Sequence, residues 1–123
     1  MMTERPFTDA TTGGASFSVH VDPPWLLHLA GELDLASAPT LERALEAPIE
    51  QGGVIGLDVA ELTFMDSTGI KVLVHARRLL GERGRVVLFE PTSAVRRVIQ
   101  ICGLHEMFDL EDAPVALNDA PSG

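Results

Sequence analysis

The sequence predicts an α/β domain: a mixed, partly parallel sheet of four to five strands with helices packed mainly on one face. Three observations carry that expectation. Short apolar or β-branched runs recur at residues 17–21, 54–59 and 85–90, apolar residues at helical spacing lie between and after them, and glycine or proline marks the junctions. Strands that alternate with helices pair in parallel through crossovers, whereas two strands in succession at the start pair as an antiparallel hairpin. At 123 residues, 46% of them apolar, the chain has the length of one domain and buries roughly two thirds of its unfolded surface.

Residues 16–21 alternate, with Phe17, Val19 and Val21 on one side, and after the Asp22-Pro23-Pro24 turn residues 25–30 read as the hairpin mate. Ser37 is a good helix N-cap, and Pro39 sits in the tolerant first turn. Ala38, Leu41, Leu45 and Ile49 then repeat at helical spacing, and Pro48 is expected to end this helix near Ala47. Gly52-Gly53 breaks the chain ahead of a central strand at 54–59, and the connection from there to Ser67 reads as a loop. The second helix starts near Ser67, carries Ile70, Leu73, Val74 and Leu80 on one side, and stops at the Gly81-Glu82-Arg83-Gly84 turn. Residues 85–90 form another buried strand. Pro91-Thr92-Ser93 opens a third helix with an apolar stripe of Val95, Val98, Ile99 and Cys102, in which Cys102 is a small core residue and Gly103 closes the helix. Residues 107–110 supply a short last strand. The domain is expected over 15–112, between flexible tails at 1–14 and 113–123.

Nine Lys and Arg against eighteen Asp and Glu give a net charge of −9. Nucleic acid and anionic membrane are poor partners for such a chain, because phosphate contact needs clustered cations. The charge is uneven: residues 1–70 hold two basic and eleven acidic side chains, 2 − 11 = −9, while residues 71–123 hold seven of each. Either this is an ordinary solvated face, or the first half presents an acidic surface to a partner. No apolar run approaches the roughly 18 residues of a membrane span, and the start lacks the layout of a signal peptide. A single cysteine needs no oxidising compartment, so the expected location is the cytoplasm.

Phe64-Met65-Asp66-Ser67-Thr68-Gly69 carries the most information. It delivers a hydroxyl to the first turn of a helix, where free backbone N–H groups and the dipole favour an anion. Taken alone the segment is open to a structural reading, with Asp66 or Ser67 as the cap and Gly69 allowing close packing. Combined with Gly31-Glu32-Leu33-Asp34, the 54–59 strand, Pro91 with residues 95–98, and Cys102-Gly103-Leu104, it resembles the STAS domains, specifically the bacterial anti-sigma factor antagonists of the SpoIIAA type. The resemblance spans roughly residues 15–112.

That resemblance implies a STAS-type fold and a protein that binds a kinase-type anti-sigma factor, frees a sigma factor, and is switched off when the kinase phosphorylates Ser67, the hydroxyl directly after the aspartate. The contact surface expected with it comprises Asp34, Met65, Asp66, Thr68 and Gly69, and Lys71 joins it by its position on the second helix beside Ser67. Asp34 corresponds to an aspartate on a turn that touches the kinase in relatives, and Thr68 stands where many members have a second serine. A serine phosphatase would reset the switch. No cofactor, metal or catalytic residue of its own is implied, because the kinase supplies ATP, metal and catalytic groups.

Other candidates read as structural. His20, His28, His75 and His105 lack metal-ligand spacing, and one cysteine cannot complete a zinc site. Gly81-Glu82-Arg83-Gly84 lacks the Lys-Ser/Thr of a phosphate loop, and Asp58 lacks the acidic pair of a phospho-aspartate receiver. Trp25 reads as a core or hairpin contact. Lys71, Arg77 and Arg78 either pair with neighbouring acids or line the surface beside Ser67 to meet a partner's acids. Two further functional classes are a non-switching STAS subunit of a transporter or sensory assembly, and an enzyme or small-ligand binder.

Overall fold

A computed structural model describes residues 16–112, so the expected tails lie outside the described residues. Five strands and three α-helices follow in the order β1 (Phe17–Val21), β2 (Leu26–Leu33), α1 (Ala38–Gln51), β3 (Gly53–Met65), α2 (Ser67–Leu80), β4 (Gly84–Phe89), α3 (Ser93–Ile101) and β5 (Asp109–Glu111), with a 3-10 turn at Gly81–Arg83. The strands form one sheet in chain order, β1 antiparallel to β2 and every later pair parallel. Each parallel step moves to the next strand in the same direction, so crossovers of one hand leave the helices on one side. Buried residues of all three helices accordingly join a single cluster with Leu27, Leu29, Leu57, Val59, Val86 and Leu88 of the sheet. The opposite pleat carries Leu26, Val87 and Phe89, with Trp25 set edge-on to Phe89 at 6.1 Å. This is the mixed sheet with one-sided helices that the sequence predicts.

The largest departure is β3, which runs to Met65 across the stretch expected to be a loop. Two register shifts against β2, between His28 and Ala30 and between Gly31 and Glu32, each place one extra residue in β3. Burial then falls at Val59, Leu62 and Met65, a spacing of three that hides the strand's period of two. Side chains fix both shifts. Asp58 Oδ1 accepts from the Ala60 N–H at 3.1 Å while its other oxygen lies 2.9 Å from His28 Nδ1. The Thr63 hydroxyl donates to the Gly31 carbonyl at 3.1 Å. Gly31 lies inside β2 at φ +98, where a Cβ would collide with the Ser16 carbonyl that accepts from Glu32 N.

Two smaller expectations also need correction. α1 continues through Pro48 to Gln51 rather than ending near Ala47. Pro48 lies in the last turn, where its missing N–H removes one helical bond, and the Gly52 N–H closes the helix on the Pro48 and Ile49 carbonyls at 3.0 and 3.2 Å. Cys102 is exposed at the C-cap of α3 instead of belonging to the core, because the helix ends at Ile101 and no longer aims that position inward.

Candidate functional site

β2 and β3 end level with each other. Leu33 pairs with Met65, and the Asp66 N–H donates to the Leu33 carbonyl at 3.2 Å. Asp34 and Asp66 therefore leave the sheet side by side at the carboxyl ends of two parallel strands, the edge at which open α/β sheets present their binding residues.

Asp66 is the N-cap of α2, held extended, and its Oδ1 accepts from Thr68 N at 2.9 Å and Gly69 N at 3.2 Å. This carboxylate thus occupies two of the N–H groups that a helix start leaves unpaired. Ser67, the first residue of α2, is exposed, and neither its N–H nor its hydroxyl has a protein partner among the described residues. Of the two structural readings open from the sequence, capping belongs to Asp66 and close packing to Gly69. Neither employs the Ser67 hydroxyl.

Asp34 opens α1 in a comparable way. Its Oδ1 accepts from the N–H groups of Ala36 and Ser37, both at 3.1 Å, and lies 3.1 Å from the Ser37 hydroxyl. Ser37 occupies the N-cap position of α1 as expected, yet its side chain makes no capping bond. The hydroxyl is buried and instead donates to the Glu32 carbonyl at 2.8 Å and accepts from Asp34 N at 2.9 Å, stitching the end of β2 to the start of α1.

The remaining expected contact residues separate into a surface and its support. Thr68 is half-buried and Lys71, one turn beyond Ser67, is exposed; with His75 and Arg78 they line one side of a hollow of about 570 Å³. Met65 and Gly69, expected in the contact surface, are buried. A Cβ at Gly69 would stand 2.8 Å from Leu33 Cγ and 2.9 Å from Met65 Cγ, so both residues set how closely α2 sits on the strand ends. Arg77 is turned to the far end of α2, where it donates to the Gly81 carbonyl at 3.1 Å. Among the described residues none of Lys71, Arg77 and Arg78 forms an ion pair.

Two apolar residues at this edge escape the sequence reading. Leu35, next to Asp34, is 75% exposed and Phe64, two residues before Asp66, is 47% exposed. Phe64 faces out because the second register shift reverses the pleat, a signal invisible without the pairing. Leu35 leaves only a faint trace, a leucine inside a polar helix-opening turn.

A level pair of strand ends, two aspartates that open the flanking helices, and a serine left free beside them define a small α/β domain whose distinguishing feature is a presented hydroxyl. The chain belongs to the STAS domain family, whose profile matches residues 18–117. It is 33% identical over 101 residues to the anti-sigma-B factor antagonist of Listeria monocytogenes, covering 80% of this chain and 85% of that one. Among solved structures it is similar to the unphosphorylated anti-sigma factor antagonist SpoIIAA, at 28% identity and a TM-score of 0.64 over 81% of this chain and 90% of that one. The phosphorylated form of the Bacillus cell fate determinant SpoIIAA gives 27% identity and a TM-score of 0.60, over 81% and 93%.

Proposed function

We propose that this protein is a cytoplasmic anti-sigma factor antagonist without enzymatic activity of its own. It binds a kinase-type anti-sigma factor, releases the sigma factor, and is inactivated when that kinase phosphorylates Ser67. The observation that carries the reading is the exposed Ser67 hydroxyl without an intramolecular partner, directly behind an aspartate that already caps the helix. Asp34, Asp66, Thr68 and Lys71 supply the polar part of the contact surface, Leu35 and Phe64 its apolar part, and Met65 and Gly69 the support beneath. A serine phosphatase restores the binding form.

Phosphorylation adds about −1.5 to −2 charge at pH 7, beside Asp66 and near Asp34. The helix start offers limited relief, because Asp66 already takes the Thr68 and Gly69 N–H groups and leaves that of Ser67. A partner closing over the edge therefore meets concentrated like charge, and each 1.4 kcal/mol lost is about a tenfold loss of affinity. The test is incubation with the cognate kinase and ATP, followed by peptide mapping in a mass spectrometer. A single phosphate on Ser67, absent from Ser67→Ala, is expected; phosphate at another residue, or undiminished in Ser67→Ala, overturns the assignment.

A further inference from the structure

α1 and α2 lie next to each other on the sheet, and toward their C-terminal ends they leave an open groove of about 430 Å³. Its floor is apolar, made by Leu45 and Ile49 of α1 with Val72 and Ala76 of α2, and Leu79 on the α2 rim is 51% exposed. The α1 rim is a row of three exposed glutamates, Glu42, Glu46 and Glu50. No carboxylate stands on the α2 side, where His75 faces the row.

The glutamate row runs against the electrostatic preferences of its own helix. Like charges at i, i+4 destabilise a helix, and Glu50 sits in the last turn, at the negative end of the dipole. α1 has no basic residue in that turn, and none of the three glutamates has an ion-pair partner among the described residues. Arg83 reaches the Ile49 and Glu50 carbonyls at the end of α1, but no cation among the described residues pairs with the three carboxylates, and a like-charge row left unpaired by the fold is the pattern expected at a functional surface. Here the row borders an apolar groove on one edge only.

We propose that this groove docks an amphipathic helix of a partner protein, one with an apolar stripe bordered along a single edge by Lys or Arg. The glutamates recur every four residues and span about 12 Å, so a helix laid along α1 meets them with cations at the same spacing while its apolar stripe fills the floor beside Leu79. Leu79 then loses its exposure, and the glutamates gain the charge partners that the fold does not give them. The groove adjoins the hollow beside Thr68 and Lys71, with which it shares Glu42, Val72 and His75, but Ser67, Asp34 and Asp66 do not line it, so the proposal does not depend on the role of Ser67.

The test uses a helical leucine–lysine peptide matched to the length of α1, with lysines at every fourth position on one edge of the leucine stripe, and a leucine–glutamate peptide of the same layout. Binding is followed by calorimetry and by amide resonances of the labelled protein. The lysine peptide is expected to shift resonances of α1 and α2 around the groove. Glu42→Gln/Glu46→Gln/Glu50→Gln should weaken it at least tenfold, and Leu79→Ser about threefold or more. Glu61→Gln/Glu90→Gln/Glu106→Gln, with the same net charge, should stay within about twofold of the parent. The groove triple variant should also melt no lower than the parent, because removing like-charge pairs relieves α1. Equal weakening by both triple variants, comparable binding of the glutamate peptide, or resonance shifts spread over the acidic surface overturn the proposal. So does a self-associated protein in sedimentation equilibrium that Leu79→Ser turns monomeric, since the occupant would then be a second copy.

Discussion

Asp66 and Ser67 are adjacent, yet only Asp66 is committed to the fold, and that division can be measured. Asp66→Ala removes the acceptor for Thr68 N and Gly69 N and is expected to cost about 1 kcal/mol, as N-cap losses do. Asp66→Asn keeps an oxygen in the same place, so its denaturation midpoint should stay close to the parent. Any loss of partner binding in Asp66→Asn then reports the charge and not the cap. Gly69 presents a contest between two effects. Alanine is the better helix former by about 1 kcal/mol, but its Cβ at 2.8 Å from Leu33 Cγ forces a fully buried leucine to move. Overpacking costs of about 1–3 kcal/mol exceed the propensity gain, so Gly69→Ala is expected to lower stability in urea denaturation. A neutral or stabilising result would mean that the strand ends yield more easily than their packing suggests.

The elements are joined at one point by a single guanidinium. Arg83, in the 3-10 turn after α2, donates through Nη2 to the carbonyls of Ile49 and Leu79, both at 3.1 Å, and through Nη1 to that of Glu50 at 3.3 Å. It therefore satisfies carbonyls at the C-terminal ends of α1 and α2 together, and supplies α1 with the cation its own last turn lacks. Arg83 is exposed, so Arg83→Met is expected to cost only about 1–2 kcal/mol, and Arg83→Lys most of that, since an ammonium cannot reproduce the fork. Thermal unfolding of the two variants checks the ranking. Nothing in the sequence distinguishes Arg83 from its neighbours, because its acceptors are backbone groups more than thirty residues earlier and four residues before. The same limit explains what else the sequence concealed. Helices were legible wherever a stripe such as Leu41, Leu45 and Ile49 repeated, and β4 wherever β-branched residues ran together. The end of β3 was not, because its burial follows the register shifts against β2 and not the local alternation. The serine edge was legible as a motif, while its apolar flank at Leu35 and Phe64 depends on how the two strands end together.

Across the whole molecule, the placement of charge gives the net −9 a direction. Asp34, Asp66 and the α1 glutamates belong to the first seventy residues, whereas α2 carries Lys71, Arg77 and Arg78 and no acid. A phosphate on Ser67 would enter this field with Lys71, one helical turn away, as the nearest cation in sequence. Because Ser67 is exposed and unbonded, the fold has little reason to respond. Ser67→Asp should change unfolding free energy by less than about 0.5 kcal/mol, the usual range for surface substitutions. Its effect on the anti-sigma factor should be much larger, a tenfold or greater loss of affinity, and the cause can be separated by salt. Like-charge repulsion between exposed groups is screened as the Debye length falls below about 10 Å, whereas a steric or desolvation penalty is not. Titrations at about 0.05 and about 0.5 M salt should therefore narrow the gap between parent and Ser67→Asp several-fold. A gap that persists unchanged at high salt would assign the switch to closure of the partner over Ser67 and not to the field around it.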